Sequence, residues 1–355
     1  MKSISKDEIR EIYNLPLITL IHRASEVHRM HHCPEEVQIS TLVSIKTGGC
    51  PEDCAYCPQA ARYHTKVNVD EMLSVDDVVK AAEEAKELGS SRLCMGAAWR
   101  NVKNNKDFDR VLDMVKTVNS MEMEVCCTLG MITENQAKRL AAAGLYAYNH
   151  NIDTSEEYYK EIISTRSYDD RLKTIDNARN AGITICSGGI IGMGESAEDR
   201  IDMLFTLSLL NPLPESVPIN ALVPVEGTPL ENQTTVSSWE MIRMIATARL
   251  VLPKTQIRLS AGRKQMNHEA QALCFLAGAN SIFSGEKLLT TPNPELNEDK
   301  ILLDTLGLKP KKPFEDHKKP EVYDLDLSEL NDEEIIRWSR PKHKIEKNIM
   351  ASQKK

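Results

Sequence analysis

From Gln38 to Leu306 the chain alternates short β-branched segments with longer amphipathic ones. That alternation admits few folds, because a parallel neighbour strand is reached only through a crossover long enough to hold a helix. Strands are expected at Gln38–Ile45, Arg92–Gly96, Glu124–Leu129, Tyr146–Asn151, Thr184–Gly188, Val217–Leu222, Gln256–Ser260 and Ser281–Phe283, eight in all. Thr133 with Gln136 and Ser237 with Glu240 read as capping boxes, and Gly89, Gly144, Gly182 and Gly278 sit where helices should stop. Eight units over about 270 residues match an α/β fold of the TIM type, a (β/α)8 barrel with its working groups at the C-terminal strand ends.

The barrel is expected to span residues 36–308, with an N-terminal helical extension over 1–35 and a flexible C-terminal tail over 309–355. In the extension Ile9, Tyr13, Leu17 and Leu20 are spaced for one helix face. The tail opens on Lys309-Pro310-Lys311-Lys312-Pro313 and holds too few apolar residues to offset its ordering entropy, so a charged, disordered segment is expected. A net charge of -8 argues against nucleic acid as a partner. Apolar runs such as Ile201 to Leu210 fall short of the ~20 residues that cross a bilayer. Residues 1–10 mix both charge signs with no apolar core, unlike an export signal, so a cytoplasmic protein is expected. Its nine cysteines then read as reduced thiols available for metal or redox chemistry.

Three of them stand in Cys50-Pro51-Glu52-Asp53-Cys54-Ala55-Tyr56-Cys57, directly after the first strand. Iron-sulfur clusters normally take four thiolates, so a trio on one loop leaves one iron open to another ligand. Gly48 and Gly49 let the backbone wrap closely there. Structural zinc is the competing reading. It calls for a fourth Cys or His at finger-like spacing, and the nearest, His64, lies outside the usual ligand pairs.

This loop, with Tyr56 before its last cysteine, resembles the signature of the radical S-adenosylmethionine superfamily. The resemblance implies a 4Fe–4S cluster on Cys50, Cys54 and Cys57, with S-adenosylmethionine chelating the open iron. Cleavage of that cofactor would yield a 5′-deoxyadenosyl radical that abstracts hydrogen from an unactivated C–H bond.

Three more cysteines, Cys94, Cys126 and Cys186, lie within expected strands, where side chains at similar heights can converge inside a barrel. Each alone reads as a small buried hydrophobe. Cys126 and its neighbour Cys127 cannot both face inward, since adjacent strand residues point to opposite sides. Cys33 and Cys274 carry no assigned role, and His31-His32-Cys33 reads as surface rather than a metal site.

Runs such as Cys94-Met95-Gly96-Ala97-Ala98-Trp99, Tyr148-Asn149-His150-Asn151, Ser216-Val217-Pro218-Ile219-Asn220 and Leu289-Thr290-Thr291-Pro292-Asn293-Pro294 narrow the resemblance to the biotin synthase family. It implies sulfur insertion into dethiobiotin and a 2Fe–2S cluster on Cys94, Cys126, Cys186 and Arg258, the last a ligand that ordinary metal chemistry does not suggest. It further implies that Ala97, Ala98, Asn151, Asp153, Arg171 and the turn at Gly192 face S-adenosylmethionine. Asn149, Asn151, Asn220, Thr290 and Thr291 would face the substrate. A homodimer and a flavodoxin or ferredoxin as electron donor come from the resemblance alone. The rivals are a radical enzyme acting on another small substrate, and a non-catalytic iron-sulfur or zinc protein. Gly192-x-Gly194-x-x-Ala197 also meets a dinucleotide fingerprint, but it falls in the fifth unit with no acid suitably placed for a ribose.

Overall fold

The structure, a computed structural model, describes residues 4–285 and 288–326. Among them ten strands form one sheet: β1 Glu36–Lys46, β2 Arg92–Ala97, β3 Glu124–Thr128, β4 Ala147–Asn149, β5 Thr184–Cys186, β6 Gly189–Ile191, β7 Ser216–Ala221, β8 Gln256–Leu259, β9 Ser281–Ser284 and β10 Lys309–Pro310. Neighbouring strands pair in parallel, and β1 pairs with both β2 and β9, so the sheet closes into an eight-staved barrel. Helices follow the strands and cover the outside, where Leu93, Met95, Val125, Cys127, Tyr148 and Ile185 join the main apolar core. No helix among the described residues is long and apolar enough to cross a membrane.

The fifth stave is two strands rather than the one expected. β5 meets β7 at the single pair Cys186–Ser216, and β6 then pairs with β7 from Gly189–Ile219 onward. The break is built on missing side chains: a Cβ on Gly188 would lie 2.0 Å from the Pro218 carbonyl oxygen.

Thr133 and Gln136 form the expected reciprocal capping box, and the four expected stop glycines take φ values of 80°, 87°, 80° and 101°. At Ser237 the box is only half made. Its hydroxyl accepts from the Glu240 N–H, but the Glu240 carboxylate is drawn away to Arg200.

The N-terminal extension is two helices, Lys6–Tyr13 and Leu17–His31, separated at Asn14–Pro16 because Pro16 cannot continue the first. Ile9, Tyr13 and Leu20 are buried as expected, while Leu17 is half-buried.

The expected disordered tail is corrected over residues 309–326. β10 pairs with the start of β1, and the chain then crosses the N-terminal end of the barrel, where the Phe314 N–H donates to Glu124 Oε1 at 3.1 Å and His317 stacks on Tyr146 at 4.1 Å. Backbone pairing and two rings anchor a segment whose composition alone predicts no core. The rest of that expectation, residues 327–355, lies outside the described residues.

The helix Leu17–His31 docks on the helix Ser238–Val251 through His28 and His32, whose rings stack 5.3 Å apart. His32 Nε2 lies 2.8 Å from Arg249 Nη1. Burial first, then the charge of Arg249, holds His28 down to about 3 and His32 to about 4. Unfolded histidines titrate at about 6.5, so in that window the unfolded chain binds more protons. Stability is therefore complete above about pH 6.5 and is lost as pH falls toward 4, by about 2 kcal/mol at pH 5 for His28 alone. Urea midpoints measured from pH 7 to pH 5 should fall, and His28→Leu should flatten the profile; a flat wild-type profile would refute this account.

Candidate active site

Beyond β1 the chain turns through Gly48 and Gly49, each with φ of 72°, into the cysteine loop. A Cβ on Gly48 would lie 2.5 Å from the Asn68 carbonyl oxygen, so another residue would be strained twice over. Within the loop the Cys50 N–H donates to the Gln59 carbonyl at 3.0 Å, and the Cys57 N–H to that of Cys54 at 2.9 Å.

A second loop, after the helix Glu156–Ile162, clamps the first. The buried Asp53 carboxylate accepts from the N–H groups of Ser164 at 2.9 Å and Thr165 at 3.1 Å, and from the Thr165 hydroxyl at 2.8 Å. Burial pushes Asp53 upward, but the bonds from Ser164 and Thr165 outweigh it and keep the carboxyl below its usual range. Glu52 pairs with Arg100 at 3.1 Å, and Arg166 Nη2 lies 3.7 Å from Cys54 Sγ.

Burial raises all three thiols, Cys57 to about 12 and Cys54 further. Left bare they are neutral; an iron replaces the proton outright, and the nearby guanidinium groups favour the resulting anions. Among the described residues no three Cys, His, Asp or Glu side chains gather as ligands of a single ion. A cubane asks something different, one thiolate on each of three irons, and the residues present fit it.

The second set meets inside the barrel. Leu42, Cys94, Cys126 and Ala147 are successive register partners across β1 to β4. Cys94, Cys126 and Cys186 pack in one buried group with Tyr146, Ala147 and Phe283, whereas Cys127 faces the outer core. The alternative left open by the sequence thus falls to Cys126. A hydrogen bond shared by Cys94 and Cys126 holds the Cys94 thiol below its ordinary value and the Cys126 thiol above.

Arg258, on β8, is fully buried beside them, its Nη1 3.7 Å from Cys186 Sγ. Its other partners are Ser281 at 2.8 Å, Gln38 at 3.0 Å, Ser40 at 3.2 Å and the Phe283 ring, so none is a carboxylate among the described residues. A buried cation with only neutral partners is costly unless an anion joins it. Cysteine thiolates on a cluster would be that anion, and the donor set fits a small iron-sulfur group.

A cavity of about 240 Å³ reaches both sets, with Tyr56 and Cys57 in its wall and Cys94 as well. Asn149, Asn151, Asp153, Asn220, Thr290 and Thr291 also line it. Asn149 Nδ2 donates to Cys186 Sγ at 3.2 Å, while Asn220 bridges the Gly189 carbonyl and the Ala261 N–H at 3.0 and 3.2 Å. The Tyr56 hydroxyl donates to Asp153 Oδ2 at 2.8 Å, tying the cysteine loop to the end of β4.

Four expected cofactor residues are not in the cavity wall: Ala97, Ala98, Arg171 and Gly192. The Ala98 N–H is spent on the Lys46 carbonyl at 2.9 Å. Arg171 is buried behind the wall, paired with Asp153 and bonded to the Asn151 carbonyl at 2.8 Å and the Tyr159 hydroxyl at 3.0 Å. The Gly192 and Met193 N–H groups are taken by Glu195 at 2.8 and 2.7 Å.

Sequence reasoning missed the clamp of Glu52, Asp53, Arg100, Thr165 and Arg166. Two acids between buried cysteines were its one available signal, since a buried carboxylate needs partners. His31-His32-Cys33 is not a ligand cluster: His31 and Cys33 are exposed and His32 serves packing.

A closed parallel barrel with this loop at the end of its first strand defines the radical S-adenosylmethionine class, and residues 44–207 match the Radical SAM superfamily. Residues 218–309 match the Biotin and Thiamin Synthesis associated domain. The chain is 63% identical over 350 residues to the biotin synthase of Christiangramia forsetii, covering 98% of this chain and 96% of that one. It is 59% identical over 310 residues to the mitochondrial biotin synthase of Arabidopsis thaliana, covering 87% and 82%. The chain belongs to the biotin synthase family. With S-adenosylmethionine and a 4Fe–4S cluster it thus shares the chemistry of the radical superfamily. A crystal structure of methylornithine synthase shares the fold, with a TM-score of 0.74 at 19% identity over 87% of this chain and 95% of that one.

Asp53→Ala should loosen the clamp at a cost of ~3 kcal/mol. A reconstituted 4Fe–4S cluster should then bleach severalfold faster in the presence of an iron chelator. An unchanged bleaching rate would show that the clamp does not hold the loop.

Proposed function

We propose that the chain inserts sulfur into dethiobiotin within this cavity, with its two cysteine sets holding two different clusters. The observation that carries the reading is the gathering of Cys94, Cys126, Cys186 and Arg258 inside a barrel whose first loop presents Cys50, Cys54 and Cys57. When bound, the 4Fe–4S cluster supplies the electron that splits S-adenosylmethionine into methionine and a 5′-deoxyadenosyl radical, and a 2Fe–2S cluster supplies the sulfur placed between two carbons. Two S-adenosylmethionine molecules are consumed, one for each hydrogen abstracted.

The chain's own residues bind and orient. Cys50, Cys54 and Cys57 would hold the 4Fe–4S cluster, beside the methionyl group of S-adenosylmethionine. Asn151 and Asp153 face the ribose, with Asp153 held in place by Tyr56 and Arg171. The Ala97 and Ala98 backbone lies toward the methionyl amine, and the turn at Gly192 toward the adenine. Arg171 reaches the methionyl carboxylate by turning from behind the wall, keeping one arm of its guanidinium on Asp153. Asn149, Asn151 and Asn220 offer amides to the ureido ring of the substrate, and Thr290 and Thr291 offer hydroxyls to its carboxylate. Apolar wall residues such as Leu42, Phe283 and Leu289 keep water from the radical. The enzyme works as a cytoplasmic homodimer reduced by a flavodoxin or ferredoxin.

Reduced, reconstituted protein should form biotin and 5′-deoxyadenosine together, dependent on dethiobiotin. Cys54→Ala should abolish both products yet keep the visible absorption of the second cluster. Cys186→Ala should still cleave S-adenosylmethionine but form no biotin. Anaerobic iron and sulfide counting with Mössbauer spectroscopy separates two clusters from one, and tetrahedral zinc at Cys50, Cys54 and Cys57 would overturn the reading.

A further inference from the structure

The buried chamber of the second cysteine set has a floor as well as a mouth. Arg92 spans it, donating to Glu124 at 2.8 Å and to both oxygens of Glu215 at 3.0 and 2.9 Å. Gln38 joins that group to the chamber, donating to Glu124 at 3.2 Å while its oxygen accepts from Arg258 at 3.0 Å. Beneath the floor lies the segment after β10. Besides the Phe314 bond to Glu124, His317 Nε2 stands 3.3 Å from the same carboxylate. Phe314 meets Tyr146 edge-on at 6.4 Å, and Tyr146 belongs to the buried group of Cys94, Cys126 and Cys186. Two side chains, Glu124 and Gln38, therefore separate this strap from Arg258.

The strap is fastened more like a latch than like a core element. Its charged side chains are largely exposed, and Phe314 holds a left-handed φ of 57° that a non-glycine residue adopts reluctantly. Farther along, its backbone is held at two points, by Asn119 to the Pro320 carbonyl at 3.1 Å and by the Tyr323 N–H to the Ala142 carbonyl at 3.0 Å. Beside it opens a polar cavity of about 320 Å³, bounded by Lys311, Glu315 and Asp316 of the strap and by Gln256 and Asn280 of the barrel. Gln256 precedes Arg258 by two residues on β8, so both share one face of the strand, with Gln256 one step nearer the floor.

Resting on the reading above, in which the second cluster gives up sulfur at each turnover, we propose that the strap Lys311–Tyr323 gates a second entrance to its chamber. Iron and sulfide pass by this floor, from the polar cavity, while the opposite mouth serves substrate and S-adenosylmethionine. Lifting Phe314 and His317 from Tyr146 and Glu124 frees Glu124, and with it Gln38, to swing out of the passage; the return of the strap seals it.

The test compares the unsubstituted chain with Phe314→Ala and His317→Ala, and with His317→Phe, which keeps the ring stack. In reconstituted enzyme exposed to a ferrous chelator, the two alanine variants should lose the second cluster about tenfold faster. The first cluster should bleach at the unsubstituted rate, and His317→Phe should fall between. In protein prepared without iron, Cys126 should be alkylated about tenfold faster in the alanine variants, with Cys54 unchanged, as read by peptide mass. Melting temperatures identify any variant that is simply unfolded, and His317→Phe then decides the matter. Unchanged Cys126 labelling with unchanged loss of the second cluster overturns the gate. Faster labelling in a chain that never shows a second chromophore keeps the gate and instead removes the two-cluster reading.

Discussion

A closed parallel sheet sends successive side chains of each strand alternately inward and outward, and the chamber inside this barrel depends on that two-residue alternation. It puts Cys126 in the interior and Cys127 under the helices, although both are buried cysteines of one strand. It also carries Cys94 and Cys186, 92 positions apart, to the same chamber by register alone. A slip of one residue in β3 would exchange Cys126 for Cys127 and turn Glu124 away from Arg92.

The electrostatics of the interior follow from what the barrel encloses. Its floor balances Arg92 against two carboxylates, Glu124 and Glu215, at hydrogen-bonding distance. Among the described residues Arg258 has no such counterweight and sits among hydroxyls, an amide, an aromatic ring and a thiol. Burying two ions together is tolerable when geometry is good, but a lone buried guanidinium is a standing cost. Anionic sulfur in the chamber would supply the missing counterweight. The cysteine loop solves the same problem differently, drawing on Arg100 and Arg166 from neighbouring loops while Asp53 fastens the backbone.

These differences explain what could be read from the sequence. The spacing of Cys50, Cys54 and Cys57 is local, so the sequence displays it directly, and the strand-helix alternation reveals the barrel for the same reason. Cys94, Cys126 and Cys186 were visible as residues, but their meeting depends on pairing between distant strands, and family likeness rather than spacing joined them to Arg258. The clamp of Asp53 on Thr165 spans 112 residues, so the sequence shows only its acids and not their partners. The break between β5 and β6 arises from contact between Gly188 and Pro218, again a matter of tertiary approach. Over residues 309–326, composition misled because the segment needs no core of its own; it borrows the edge of β1 and the rings at the barrel end.

The two cysteine sets also differ in what keeps them in place. The loop sulfurs depend on an outside clamp, and burial pushes all three thiols up even though the Glu52 and Gln59 N–H groups bond Cys50 and Cys57 and Arg166 lies 3.7 Å from Cys54. The strand sulfurs sit on rigid sheet and have protein partners: Cys94 and Cys126 bond to each other, and Cys186 receives Asn149 at 3.2 Å and lies 3.4 Å from the Ser216 hydroxyl. A buried polar group with a partner costs far less than one without. On the proposed reading the strand-borne set would keep its geometry when iron leaves, because each thiol has a neighbour already within reach. A sulfur donor that is consumed and restored in place, the role proposed for this set, calls for such a scaffold on rigid strands.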